Sequence, residues 1–155
     1  WIPVVVLWIF LPMLMPFVAG LPWFLAPVGF PAGAMAGWIA VAVGLAAFGM
    51  TWVCWIKMGT SWRMGIDPNE RTKLVFNGPY AYVRHPIYGL SQVLMLASLA
   101  ALPSPLMLLV AVLHLAFMQW EVRREEKYLV HLHGTAYADY MRRVGRFLPG
   151  LGSWK

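Results

Sequence analysis

This 155-residue chain is divided first of all by where its charges are missing. No Asp, Glu, Lys or Arg occurs from Trp1 to Ile56, and none occurs from His85 to Trp120. All charges fall in two blocks, Lys57–Arg84 and Glu121–Lys155. An unpaired charge at bilayer depth is expensive, so the two charge-free stretches read as membrane and the two blocks as water-side. Composition agrees: 61% of residues are hydrophobic and 12% charged, against about 25% charged in a soluble domain. A water-soluble globule is excluded, and the chain reads as an all-α integral membrane protein.

A spanning helix needs about 20 apolar residues. The first stretch holds two spans, near Ile2–Ala19 and Gly33–Ile56, joined by the Pro-rich, uncharged segment Gly20–Ala32. The second stretch is interrupted by Pro103-Ser104-Pro105. Proline stops a helix and disfavours helix in the residue before it, so this stretch reads as a hairpin of Pro86–Leu102 and Pro105–Trp120. Both arms are short for a full crossing and call for support from flanking residues. Four spans place both charged blocks on one face, which the positive-inside rule assigns to the cytoplasm. The chain reads as one membrane domain over 1–155, with two spans in 1–56 and the chemistry-bearing part in 57–150, around hairpin 86–120.

The net charge of +6 belongs to residues beside spans, so topology and anionic headgroups account for it better than nucleic acid does. Cys54 is the single cysteine; it forms no internal disulfide and reads as a small packing residue. The chain opens on Trp1 rather than Met, which implies missing N-terminal residues. Trp1–Phe10 lacks a basic n-region and therefore reads as a span, not a signal peptide.

The first charged block carries turn signals at Asp67-Pro68-Asn69 and Asn77-Gly78-Pro79, with Thr72–Phe76 extended between them. It ends at Arg84-His85-Pro86, where Pro86 suits the first turn of a helix and His85 sits at the helix mouth. Tyr88 and Gln92 follow His85 on one face at helical spacing. Three polar side chains on one face of an apolar span should meet protein or a cavity, although a capping His and an interfacial Tyr account for two of them equally well. On the last span His114, Met118, Glu121 and Glu125 share a face that runs from membrane to cytosol. The helix should continue to His133 and stop at Gly134. Salt bridging within that helix, such as Glu121 to Arg124, is the plain alternative to a functional role. His114 is either a hydrogen-bonded interior residue or part of a site. Thr135–Val144 reads as a short amphipathic helix capped by Thr135, whose Arg142 and Arg143 could pair with Glu125 or Glu126, bind headgroups or bind an anionic substrate. There is no CxxC pair, His131 and His133 diverge on a helix, and no Gly-rich phosphate loop is present, so no metal, Rossmann or P-loop site is expected.

Asn77-Gly-Pro-Tyr-Ala-Tyr-Val-Arg-His-Pro-Ile-Tyr88, followed by an apolar hairpin, Glu125-Glu126, His131-Leu-His-Gly134, Tyr137, Tyr140, Arg143-Val144 and Leu148-Pro149, resembles the isoprenylcysteine carboxyl methyltransferase family. The related phospholipid N-methyltransferases share the order of Arg-His-Pro-x-Tyr, hairpin and Glu-Glu. The resemblance covers about residues 60–150. It implies a methyltransferase dependent on S-adenosyl-L-methionine, multi-pass, with its active site facing the cytoplasm and a lipophilic small-molecule acceptor entering from the lipid. It implies cofactor contacts from Thr72, Lys73, Leu74, Val75, Tyr80, His85, Pro86, Ile87, Tyr88 and Glu125. It names no catalytic residue, because methyl transfer is a displacement that asks mainly for alignment and exclusion of water.

The resemblance also marks a departure. In prenylcysteine enzymes an Arg one turn before the cofactor Glu is associated with the substrate; here that position is Glu121. A carboxylate opposes an acceptor carboxylate unless Arg124, Arg142 or Arg143 substitutes, so the acceptor is a prenylcysteine-like carboxylate, a thiol or an amine. Acceptor contacts are expected from Glu121, Arg124, Arg142, Arg143 and His114. Two alternatives stand beside this reading. A nicotinamide-dependent membrane reductase shares the cofactor half but needs a much longer chain. A non-enzymatic membrane subunit or pore should carry polar residues along its spans, which the first two spans lack.

Overall fold

The structure, a computed structural model, describes residues 2–14, 33–59 and 74–150. Five helices run in order: α1 (Ile2–Leu14), α2 (Gly33–Met58), α3 (Pro86–Ala101), α4 (Pro105–His133) and α5 (Thr135–Arg143). A single 3-10 turn, Gly78–Ala81, precedes α3. Among the described residues there is no strand, only an isolated parallel bridge between Val83 and Gly145. The all-helical class read from the sequence is the one observed.

α2 has 26 residues, a rise of about 39 Å at 1.5 Å per residue against a hydrocarbon core of about 30 Å. Its Met35, Trp38, Leu45 and Ile56 are each about two-thirds or more exposed. That much apolar surface is at home in lipid rather than water. α2 and α4 are the two described helices long and apolar enough to cross a membrane, and α3 is a shorter apolar helix. The first expected span is described only over Ile2–Leu14. The Gly20–Ala32 connection and the Asp67–Asn69 turn lie outside the described residues.

The proline-bounded break between α3 and α4 falls where the sequence places it. Leu102 N–H donates to the Ser98 carbonyl at 3.0 Å, closing α3. Ser104 then caps α4: its Oγ accepts from Met107 N–H at 3.1 Å, and its carbonyl accepts from Leu108 N–H at 2.9 Å. Pro105 occupies the first helical position, where a missing N–H costs nothing. At the far end α4 stops at Gly134, which takes φ +58° and donates to the Val130 carbonyl at 2.8 Å. The left-handed conformation is open to Gly without steric cost. The same residue is the N-cap of α5, which begins on Thr135 and has no side-chain cap. The expected Thr135 cap is therefore incorrect: Gly134 both ends one helix and opens the next, leaving Thr135 inside the first turn.

The chain forms two compact units, one of Trp1–Phe48 with Ser91–Met118 and one of Gly49–Leu90 with Gln119–Lys155. The first is built on a core of Met95, Met107, Val110 and Ala111, with Val4, Trp8, Leu99 and Leu106 packed against it. Methionine fills irregular gaps between helices at little conformational cost. Gly44 lets α2 approach α3, because a Cβ there would sit 3.5 Å from Leu94 Cδ1 and 3.6 Å from Ala97 Cβ, the close contact that small residues permit between membrane helices. The second unit buries Cys54, Tyr80, Val122, Tyr137 and Tyr140 together with Arg84, His85 and Glu126, and is the polar half of the molecule. The packing role expected of Cys54 agrees with its complete burial.

Ser104→Ala should lower stability by about 1 kcal/mol, the usual cost of a lost N-cap, while Ser104→Asn should retain most of it. Thermal unfolding of the detergent-solubilised protein followed by circular dichroism measures both.

Candidate functional site

The second unit is organised around the mouth of α3. Its first turn is Pro86-Ile87-Tyr88, and Gly89 N–H donates to the His85 carbonyl at 3.0 Å, which places His85 at the helix N-cap. The backbone does the capping, and the side chain is free for other work. The His85 ring is buried, 5.7 Å from the Tyr88 ring and 6.5 Å from that of Phe147. Its Nδ1 lies 3.7 Å from Glu125 Oε2 and its Nε2 lies 3.4 Å from Glu126 Oε1. Both separations are long for a formed hydrogen bond. His85 Nε2 and Glu125 Oε2 are accordingly buried polar atoms without a hydrogen-bond partner among the described residues, as is the Tyr80 hydroxyl. The Glu125 carboxylate lies close to the Tyr88 phenol.

Glu126 is the anchor of this arrangement. Arg84 Nε and Nη2 donate to its Oε1 at 3.0 and 2.8 Å, and Arg146 Nη2 donates to its Oε2 at 2.5 Å. Arg84 Nη1 also donates to the carbonyls of Met141, at 2.9 Å, and Val144. Burial by itself would raise the Glu126 carboxyl, but the hydrogen bonds from Arg146 and Arg84, with His85 close by, outweigh it and hold the group well below the ordinary carboxylate range. The backbone follows the same path: Arg84 N–H donates to Gly145 O at 2.8 Å and His85 N–H to Arg146 O at 3.1 Å. The segment after α5 is thereby laid alongside Val83–His85, and the Phe147 ring comes 3.7 Å from the Cβ position of Gly89.

Aromatic residues build the adjoining wall. Tyr140 Oη donates to the Tyr80 carbonyl at 2.5 Å, and its ring meets Phe76 edge-on at 4.8 Å and Tyr137 at 5.7 Å. Burial pushes the Tyr140 phenol up to about 12, with Arg84 partly offsetting it, so it is a donor at neutral pH. Phe76, Ala81, Tyr140, Arg143 and Val144 line an open concavity of about 310 Å³. Leu74 and Val75 are half-buried and stand just before the 3-10 turn, in which Gly78 takes φ +60°.

Of the residues expected at a cofactor site, the structure places Leu74, Val75, Tyr80, His85, Pro86, Ile87, Tyr88 and Glu125 in this one unit. Thr72 and Lys73 lie outside the described residues. Glu121 and Arg124 belong to the same unit and form the expected i,i+3 pair at 3.4 Å, with the Arg124 guanidinium 5.0 Å above the Trp120 ring. His114 is in the first unit, fully buried. Its Nε2 lies 3.0 Å from Ser91 Oγ and its ring 5.2 Å from that of Trp8. That arrangement matches the interior hydrogen-bonded histidine that was one of its two sequence readings.

Pairing of Arg142 or Arg143 with Glu125 or Glu126 is not observed. Arg142 bonds Asp139 on its own helix, and Arg143 Nε donates to the Asp139 carbonyl at 3.3 Å. α5 turns Tyr137 and Tyr140 inward and both arginines outward, so they point away from Glu126. The partners that sequence reasoning missed are Arg84 and Arg146. The signal for Arg84 was its place in Arg-His-Pro, but nothing local marks Arg146 as the second.

Glu126→Ala should cost about 3–5 kcal/mol, since it leaves two guanidiniums in a buried site without their carboxylate. The depressed carboxyl also sets a pH dependence. Its stabilisation is complete above the ordinary Glu value of about 4.3 and is lost as the pH falls below that toward the folded-state value. Unfolding midpoints measured from pH 7 to pH 3 should fall in the wild type and fall less in Glu126→Gln.

With this geometry in place, comparison with known proteins is informative. Residues 38–131 match the model of the isoprenylcysteine carboxyl methyltransferase family. The nickel-cobalt-cadmium resistance protein NccN of Alcaligenes xylosoxydans xylosoxydans is 31% identical over 119 residues, covering 76% of this chain and 55% of that protein. The protein-S-isoprenylcysteine O-methyltransferase of Dictyostelium discoideum is 32% identical over 83 residues, 50% of this chain and 33% of that protein. Among solved structures, a eukaryotic intramembrane Ras methyltransferase, isoprenylcysteine carboxyl methyltransferase, superposes with a TM-score of 0.72 at 21% identity, covering 99% of this chain and 53% of that one; the likeness is one of fold. The chain thus spans about half or less of the length of the relatives it matches. On the family match over well more than half of its residues, this chain belongs to the isoprenylcysteine carboxyl methyltransferase family, whose fold is that of an integral membrane protein.

Proposed function

We propose that this protein is a multi-pass membrane methyltransferase that uses S-adenosyl-L-methionine to methylate a lipophilic small molecule, with its working face on the cytoplasmic side. The observation that carries the reading is the cluster at the mouth of α3. There, His85 Nε2, Glu125 Oε2 and the Tyr80 hydroxyl are buried polar atoms without partners among the described residues. A buried polar atom left unpaired is costly, and three of them in one unit of the chain suit a polar ligand that supplies the missing partners. The orientation follows from the charge blocks Lys57–Arg84 and Glu121–Lys155 under the positive-inside rule.

The residues fit the proposed cofactor in kind. Glu125 offers a carboxylate for ribose hydroxyls or for the ammonium group. His85, at a helix N-terminus, suits the cofactor's carboxylate. Leu74, Val75 and Tyr80 offer an apolar and aromatic wall for adenine and for a sulfonium cation, and Thr72 and Lys73 extend that segment. Pro86, Ile87 and Tyr88 form the first turn of α3 beside His85, with Tyr88 near Glu125. When bound, the cofactor supplies a methyl group made electrophilic by its sulfonium sulfur. The protein's contribution is to align the acceptor and keep water out, and membrane lipid brings a lipophilic acceptor to the site.

Binding of S-adenosylhomocysteine and of NADPH to the detergent-purified chain tests the reading. S-adenosylhomocysteine should bind and NADPH should not. Glu125→Ala should weaken the former by about tenfold or more, the worth of a charge-assisted hydrogen bond. Absence of S-adenosylhomocysteine binding, or indifference to Glu125→Ala, would overturn it.

A further inference from the structure

Tyr80 brings a buried hydroxyl, unpartnered among the described residues, into the second unit, yet the turn that presents it has little to hold itself. Gly78–Ala81 is a four-residue 3-10 turn, and Asn77 before it makes no side-chain cap. Its exit is closed by Tyr82 N–H and Val83 N–H, which share the Pro79 carbonyl at 3.2 Å each. Turns of this kind stay short because their hydrogen bonds are poorly aligned, and a helical nucleus fixes several dihedrals for each bond it gains. The shape of the turn therefore depends on what packs against it. On one side the alkyl stem of Lys57, in the last turn of α2, covers Gly78: a Cβ there would meet Lys57 Cγ at 3.4 Å and Cδ at 3.6 Å. That contact is apolar and fixes no direction. The directional tie is Tyr140, whose Oη donates to the Tyr80 carbonyl at 2.5 Å while its ring meets Phe76 at 4.8 Å. Tyr140 thus holds the segment at two points four residues apart. Tyr140 and Tyr80 are 5% and 4% exposed, so water does not replace this bond when it is lost.

We propose that Tyr140 is a positioning residue of the cofactor site: by holding the Tyr80 carbonyl it fixes the direction in which Tyr80 carries its hydroxyl to the bound cofactor. This goes beyond the methyltransferase reading and rests on it. Tyr140 touches no ligand in this role and acts only through Tyr80. Anchoring a carbonyl fixes its peptide plane, and with it the line along which the neighbouring side chain leaves the backbone. α5 supplies a firm base for the anchor, because Tyr137 and Tyr140, one turn apart on its buried face, have their rings 5.7 Å from each other. With the carbonyl released, a turn of four residues samples other orientations, and the entropy of ordering it falls on the binding step instead. The contact also links α5, which lies some sixty residues later in the chain, to the Gly-Pro-Tyr turn.

The test is a double-mutant cycle on the full chain in detergent, read by calorimetric titration with S-adenosylhomocysteine. Tyr80→Phe and Tyr140→Phe keep both rings and remove one hydroxyl each. Each should weaken binding about fivefold or more. The double variant should bind no more than about twofold worse than the poorer single variant, because Tyr140 acts through a hydroxyl that Tyr80→Phe has already removed. Ser104→Ala, which removes a helix cap in the first unit, is the control for lost stability and should bind within about twofold of wild type. Normal binding by either tyrosine variant would overturn the proposal, and so would losses that multiply in the double variant. Equal weakening in Ser104→Ala would show that affinity follows stability alone and would overturn it as well. These outcomes leave the methyltransferase reading standing, whereas a wild-type chain that binds no S-adenosylhomocysteine would overturn both.

Discussion

A buried carboxylate shared by two guanidiniums governs the polar half of this protein. Glu126 is nearly inaccessible, and so is Arg84; two such charges survive burial only where geometry and additional hydrogen bonds replace water. Here they do: Arg84 spends its remaining donors on the carbonyls of Met141 and Val144, and Arg146 completes the carboxylate. The junction ties together three places far apart in sequence: the Arg-His-Pro turn, the polar extension of α4 and the segment after α5. Its backbone counterpart, from Arg84 and His85 to Gly145 and Arg146, lays the third of these beside the first. The adjacent Glu125 can then remain unsaturated, because the work of holding the structure falls to its neighbour. Two consecutive glutamates thus divide the labour, one closed and structural, the other open and turned to Tyr88 and His85.

Much of the fold was legible because its determinants are local. The charge-free stretches located the apolar helices; Pro103, Ser104 and Pro105 marked the hairpin break; Gly134 marked the end of α4. Each of these depends on a residue and its immediate neighbours, through a missing N–H, a capping hydroxyl or access to positive φ. Thr135 misled for the same local reason: a good capping residue follows a glycine whose conformation already starts the next helix.

The site was legible in kind but not in its pairings. His85, Tyr88 and Glu125 declared themselves by spacing and by resemblance, and they do fall in one unit of the chain. Which carboxylate meets which cation is a tertiary matter. Glu125 and Glu126 differ by one step of about 100° around a helix, and that step decides between a partly exposed acid and an interior ion pair. Arg142 and Arg143 looked like suitable partners by proximity in sequence, yet the amphipathic face of α5 turns inward with its tyrosines and carries both arginines outward. Arg146 lies beyond the helix, where no periodicity points to it.

The position of Arg146 has a consequence for biogenesis. The mouth of α3 is made from residues near position 85, but the groups that fix it arrive sixty residues later, from Gly145, Arg146 and Phe147. A nascent chain can insert its apolar helices as they leave the ribosome, while Arg84 and Glu126 still wait for their remaining partner. The ion-pair junction at the mouth of α3 is therefore complete only when the segment after α5 has been made. Order of synthesis thus separates the making of the apolar helices from the closing of this junction, which waits for Arg146.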